Sequence, residues 1–268
     1  MVLIDTNAYV GNWPYKQMAY STCESLLKKM NQFGVDKAVV ANMSGIFYKN
    51  CQAANEALFA EIESSATYKE RIIPFAIINP FYPGWKSDFD KCVKVGIKGI
   101  RIYPQYHDYQ LTDSACVELV KMARDHDLVV GLTMRMVDSR QKSWMDLDQL
   151  AGTDKPEQGL VDLLPIIKEV PAAKYFILNL ANGYQLKNDD FELIMKSKVL
   201  MDTSGRSLAN MAQALEFYGE DKFAFGTHAP ILDYLTGMLR IESLREEEAS
   251  QSTKDLLRWR NAQSMLNL

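Results

Sequence analysis

Histidine is scarce in this chain. Only His107, His126 and His228 occur in 268 residues, whereas a zinc-type centre needs about three or four nitrogen, sulfur or oxygen ligands converging at roughly 2 Å. A histidine-rich metal centre is therefore excluded, although a site rebuilt around His107 and His228 stays open. Cysteine is equally sparse. Cys23, Cys51, Cys92 and Cys116 match no Cys-x-x-Cys spacing and read as small core residues in a reducing compartment. No run of 18 apolar residues occurs, so no membrane span is expected. No basic segment precedes the first apolar run at Val2, so no secretory signal is expected and the chain reads as cytoplasmic. The net charge is only −4 and no basic stripe is visible. Nucleic acid is therefore not an expected partner, because phosphate binding needs clustered Lys and Arg.

What the chain does have is ordinary for a large buried core: 47% apolar and 24% charged residues. Its length suits a single α/β barrel, which runs near about 250 residues. Short apolar runs recur at Val2–Asp5, Ala38–Asn42, Ile72–Ile78, Gly99–Tyr103, Leu128–Met134, Tyr175–Leu180, Val199–Asp202 and Phe223–Gly226. Continuous apolar runs of this kind are what parallel strands buried on both faces require. Between them lie amphipathic stretches with caps and stops. Ser21-Thr22-Cys23-Glu24 reads as a capping box, followed by Leu26, Leu27, Met30 and Phe33 at helical spacing and by Gly34 as the stop. The alternation predicts a single-domain (β/α)8 TIM barrel over residues 1–268; an open doubly wound sheet is the competing arrangement. The polar stretch 137–158 follows the fifth strand and is expected to lie over the active-site mouth. The charged stretch from Ile241 onward reads as a solvated closing helix pair.

Four segments carry a resemblance. They are Ile4-Asp5-Thr6-Asn7-Ala8-Tyr9-Val10-Gly11, Gly96-Ile97-Lys98-Gly99-Ile100-Arg101-Ile102-Tyr103-Pro104, Met201-Asp202-Thr203-Ser204-Gly205 and Phe225-Gly226-Thr227-His228-Ala229-Pro230. In order and spacing the chain resembles the amidohydrolase-related family, whose members include metal-dependent hydrolases and the aminocarboxymuconate-semialdehyde decarboxylase group. The resemblance implies a TIM barrel with metal ligands from strand one (Asp-x-His-x-His), histidines on strands five and six, and an aspartate on strand eight. At those places this chain carries Asn7 and Tyr9, Thr133, Leu180 and His228. The expectation is a barrel whose metal site has been dismantled, with no cofactor.

Such barrels place their chemistry at the C-terminal ends of the strands. The residues expected there are Asn7, Tyr9, Asn42, Asn79, Arg101, Tyr103, Arg135, Asn182, Arg206 and His228. Arg101 and Tyr103 alternate onto one strand face. A buried guanidinium needs an anionic partner, either Asp5 or Asp202 or a substrate carboxylate. Arg135 ends an apolar strand and is read either as a ligand contact or as a loop anchor. Arg206 follows Ser204-Gly205 at a helix start, an anion site or a plain entry turn. His228 is the candidate base, because imidazole titrates near neutrality and falls where the family's aspartate stands. Tyr9 is a candidate acid or oxyanion donor, with filling of the vacated metal cavity as the rival role. His107 is expected in the loop after strand four, near the mouth.

Two functions lead, ahead of a third, decarboxylation or isomerisation with a rebuilt metal. The first is a metal-independent hydrolase acting on a small, carboxylated substrate, with the arginines holding the anion and His228 activating water; the resemblance allows this, since metal-free lactonases occur among the family's relatives. The second is a non-catalytic descendant, a small-molecule sensor or an assembly subunit. Both give a small anionic molecule as the partner. A homodimer is the assembly that general statistics favour, with no segment identifying its interface.

Overall fold

The computed structural model describes residues 2–14, 16–136, 159–180, 186, 188–205 and 211–268. The eight strands are β1 Ile4–Val10, β2 Lys37–Asn42, β3 Ile72–Ile77, β4 Gly99–Ile102, β5 Val129–Thr133, β6 Lys174–Leu178, β7 Lys198–Asp202 and β8 Phe223–Ala224. They pair in parallel in sequence order, β1 to β8. A doubly wound sheet would reverse its strand order part-way, and this one does not. The ends meet as well: Thr6 N–H donates to the Phe225 carbonyl at 2.9 Å, His228 N–H to that of Asn7 at 2.7 Å, and Tyr9 N–H to that of Ala229 at 2.8 Å. These bonds close the sheet into the (β/α)8 barrel, with a helix or helical turns between successive strands.

Two apolar layers hold it together. The outer layer lies between sheet and helices, with Ala8, Val40, Ile100, Ile102, Val130 and Ile177 facing Leu26, Phe89 and Leu119. The inner layer fills the barrel with Ile4, Val39, Phe75, Val129, Phe176 and Leu200; Phe75 and Phe176 stack across it at 6.0 Å. At Gly99 a Cβ would meet Phe75 Cζ at 2.3 Å and the Val129 carbonyl oxygen at 2.4 Å, so only glycine leaves room for that ring.

Strand β1 contains an irregularity that decides which of its side chains enter the barrel. Asp5 pairs with Ala38 and Ala8 with Val40, three steps on one strand against two on the other. Without this bulge, Ile4 pointing inward would carry residues 6 and 8 inward with it. With it, Ile4 and Tyr9 share the inner layer while Ala8 and Val10 face the helices.

Two expectations are corrected. The first helix, Cys23–Phe33, is capped one residue later than Ser21: Thr22 and Ser25 form the reciprocal box, and Glu24 instead pairs with Lys28 on the exposed face. The C-terminal helices are not merely solvated. Leu257, Ala262 and Leu266 are buried, and Ala262 and Leu266 join the inner layer beside Ile4, Leu200 and Ala224. Asn261 donates to the Glu220 and Phe223 carbonyls at 2.7 and 2.8 Å, and Asn267 to the Asp127 carboxylate at 2.6 Å. The segment plugs the N-terminal end of the barrel, leaving the opposite end as the mouth. The four cysteines are free and buried. Among the described residues no helix is long and apolar enough to cross a membrane.

Candidate functional site at the barrel mouth

The polar centre of the mouth is built around Asn7. Its side-chain nitrogen lies 2.7 Å from Asp202 Oδ2, 3.0 Å from His228 Nδ1 and 3.3 Å from Ser204 Oγ. Ser204 Oγ donates to the same Asp202 oxygen at 2.6 Å, and the Asn179 backbone N–H donates to Asp202 Oδ1 at 2.8 Å. On its other side, Asn7 Oδ1 accepts from Arg101 Nη1 at 3.2 Å. Asn7, Arg101 and His228 are all fully buried.

Neither expected carboxylate pairs with Arg101 directly. Among the described residues no ion pair involves it; its remaining bonds run to the backbone carbonyls of Val39 and Thr6, at 3.3 and 3.5 Å. Its Nε finds no hydrogen-bond partner there. The guanidinium lies under the Tyr9 ring, 4.2 Å from its centroid, an arrangement that attracts a cation to the ring face. Asp202 reaches it only through the dipole of Asn7. Asp5 is on the other face of β1, where its oxygens accept from Asn7 N–H, Thr227 N–H and Thr227 Oγ1 at 2.9, 3.0 and 2.6 Å, tying β1 to the end of β8. Burial raises the pKa of both Asp5 and Asp202, opposed by these hydrogen bonds.

The His228 ring is committed on both sides. An amide nitrogen only donates, so Nδ1 must be the acceptor from Asn7. Nε2 then carries the proton and donates to the Met136 carbonyl at 2.9 Å. Burial, with the charges of Arg101 and Arg135 acting the same way, lowers its pKa to about 3, so the imidazole is neutral. Beside it, with ring centroids 5.4 Å apart, stands Tyr9. Tyr103 OH donates to Tyr9 OH at 3.1 Å; Tyr9 OH in turn faces Thr133 Oγ1 at 3.2 Å and the Met136 thioether at 3.7 Å. Burial pushes the Tyr103 phenol well above its ordinary range.

The structure therefore brings together Asn7, Tyr9, Arg101, Tyr103 and His228, with Arg135 near enough to act on His228 electrostatically. His107 sits apart on the short helix Pro104–His107, half-buried. Its Nε2 is 3.8 Å from Cys51 Sγ, and its ring meets the edge of Tyr103 at 6.4 Å. Asn42 and Asn79 spend their amides on backbone groups of the segments that follow β2 and β3. Asn182, Arg206 and the stretch 137–158 lie outside the described residues. At the end of strand six the expectation of Leu180 is corrected: Leu180 is buried in the outer layer. Asn179, in the left-handed conformation at φ 55, turns to the mouth and donates through Nδ2 to the Arg135 carbonyl. Asn179, Ser204 and Met136 are site residues that the sequence pattern passes over; an asparagine tolerates this backbone region better than most residues, but nothing local demands it there.

A divalent ion does not suit this donor set. Among the described residues no three His, Cys, Asp or Glu side chains converge. The His228 and Asp202 acceptors are aimed at an N–H donor rather than at open space, and the strand-one place of Tyr9 covers a resident cation. Amide nitrogens and guanidinium groups cannot ligate a metal.

No family model matches the sequence, and no curated protein matches it. Solved structures do match. A 5-carboxyvanillate decarboxylase from Novosphingobium aromaticivorans, with manganese bound, aligns over 100% of this chain and 97% of its own at 15% identity and TM-score 0.75. The 2,6-dihydroxybenzoate decarboxylase from Rhizobium aligns over 99% and 98% at 12% identity and TM-score 0.71. An Acinetobacter baumannii chain assigned as a 2-pyrone-4,6-dicarboxylic acid hydrolase, with citric acid bound, aligns over 100% of both at 14% identity and TM-score 0.67. The chain thus shares its fold with these decarboxylases and this hydrolase over nearly the full length of each.

Proposed function

We propose that this chain is a divergent amidohydrolase-related protein that binds a small carboxylate-bearing molecule at the barrel mouth and hydrolyses it without a metal. The observation that carries the reading is Arg101: a fully buried cation, with no carboxylate in ion-pair reach and an unpartnered Nε among the described residues. A permanent charge in a low-dielectric interior favours an anion nearby. Arg135 adds a second positive charge near His228. The structural neighbours with benzoate-type and citrate ligands support the same class of molecule.

In this reading Arg101, through its field, and Arg135 draw the carboxylate in, while Asn7 and Tyr103 line the place it takes. His228 serves as the base at Nδ1, its unprotonated nitrogen, which takes the proton of water once the Asn7 amide turns from it. Its low basicity comes from burial and from the two arginine charges, and an arriving anion offsets both charges, raising the imidazole pKa as water is aligned for attack. Tyr9, hydrogen-bonded to Tyr103, donates to the oxyanion that forms as water adds to the carbonyl. A second reading, a sensor without turnover, is favoured by one fact: both His228 nitrogens are already engaged.

Lactones and esters of small hydroxy acids, offered with chelator present, separate the two. Turnover by the wild type, lost in His228→Asn while the product carboxylate still binds, supports hydrolysis with His228 as base. Equal turnover in both proteins removes His228 from that role. Carboxylate binding with no turnover on any substrate leaves the sensor. Arg101→Met should weaken carboxylate binding by about tenfold or more; unchanged affinity removes Arg101 from anion recognition.

A further inference from the structure

Three side chains from three different strands donate to one dipeptide. His228 Nε2–H, beyond β8, meets the Met136 carbonyl at 2.9 Å. The Asn179 amide, beyond β6, meets the Arg135 carbonyl. The Tyr9 hydroxyl, on β1, faces the Met136 sulfur at 3.7 Å. Residues 135 and 136 follow the end of β5, so their carbonyls have left the strand ladder, and Met136 is only 1% exposed. Backbone carbonyls always seek donors, which by itself would explain two of these bonds. It does not explain why two of the donors, Tyr9 and His228, stand beside Arg101, a buried cation that bonds no carboxylate among the described residues. There they receive only neutral acceptors, one of them a thioether, a weak acceptor. Asn179 is also held in a left-handed conformation while it makes its bond.

We infer that the Arg135–Met136 dipeptide is a self-ligand: its two carbonyl oxygens and the Met136 sulfur occupy the positions that the acceptor atoms of a small carboxylate take when it binds, so that binding requires Met136 to leave. The inference rests on the carboxylate reading above and makes it more specific. The ligand must present at least two acceptor atoms to His228, Asn179 and Tyr9, and Met136 sets the threshold for entry. Because the closed arrangement competes with the ligand, affinity is reduced by the fraction of molecules in which Met136 has already withdrawn.

The test uses the full chain carrying methyl-13C methionine, with the Met136 resonance assigned by its loss in Met136→Leu. Benzoate, 2,6-dihydroxybenzoate, malonate and citrate are titrated into the wild type and into Met136→Ala, with calorimetry for affinity. The expected result is a shift of the Met136 methyl on binding, together with about tenfold tighter binding to Met136→Ala. Met136→Leu, which keeps the bulk and the backbone carbonyl but loses the thioether acceptor, should fold and bind with an affinity between those of the wild type and Met136→Ala. Carboxylate binding that leaves the Met136 methyl unmoved, or equal affinity in wild type and Met136→Ala, overturns the self-ligand while the carboxylate reading stands. Binding of no carboxylate by any of the three proteins overturns both.

Discussion

Asn7 Nδ2 lies 3.0 Å from His228 Nδ1, and this contact sets the tautomer of the histidine at the centre of the barrel mouth. The amide can only donate, so the imidazole must accept on that side and keep its proton on Nε2. A partner residue has thereby chosen the tautomer, and burial has chosen the neutral form.

The pH dependence follows from that state. His228 has a folded pKa of about 3, below its unfolded value near 6.5. Between those values the unfolded chain binds more protons, so this residue's contribution to stability rises as pH climbs from about 3 to 6.5 and is lost as pH falls through that window. Asp5 and Asp202 act in the opposite sense, since their raised pKa values make the folded chain hold protons that the unfolded chain releases. Nitrogen NMR of the imidazole separates the two effects. His228 should remain a neutral Nε2–H tautomer from pH 8 down to 5; a protonation midpoint near 6.5 would contradict the buried environment.

Replacing Asn7 by aspartate exchanges the donor for an acceptor. A carboxylate would then face Asp202 Oδ2, now 2.7 Å away, and a bare His228 Nδ1. Asn7→Asp is expected to lose about 2–4 kcal/mol of stability near neutral pH, and to recover part of it as pH falls and one carboxyl of the pair protonates. Urea titrations at pH 7.5 and 5 test this. Equal loss at both values would mean that the two carboxylates do not interact.

Gly226 backs onto the same carboxylate. A Cβ there would lie 2.6 Å from Asp202 Oδ2 and 2.7 Å from its Cβ, in a buried place with no flexible side-chain end to yield. Gly226→Ala should cost about 3 kcal/mol and disturb the Asn7–Asp202 bond. A denaturation midpoint equal to that of the wild type would show that β7 and β8 separate more easily than their packing implies.

The C-terminal plug is tested at Leu266, which is 3% exposed within the inner layer. Leu266→Ala should cost about 2–4 kcal/mol through lost burial and the cavity left behind. The neighbouring exposed Leu268 (38%) serves as the control, where alanine should change stability by less than about 0.5 kcal/mol. Similar effects at the two positions would mean the last helix does not seat against the barrel.

All eight strands could be read from the chain as short apolar runs bounded by turn signals, because a parallel strand buried on both faces leaves that imprint locally. The helix stop at Gly34, at positive φ, was legible for the same reason: the constraint lies within a few residues. The resemblance in four segments also placed Asn7, Tyr9, Arg101, Tyr103 and His228 at the mouth before any distance was known. The tertiary structure alone decided the rest. Whether eight strands close or spread is settled by bonds between β1 and the end of β8, more than 200 positions apart in sequence. The bulge in β1 has no local signature, yet it is what turns Asn7 and Tyr9 inward. The contacts of Arg101 and His228, the left-handed turn at Asn179 and the place of Met136 come from six strands meeting in one cylinder. The sequence by itself determined which segments would be delivered there; the bulge and the cross-strand contacts determined which side chains turn inward, which of them donate and which accept.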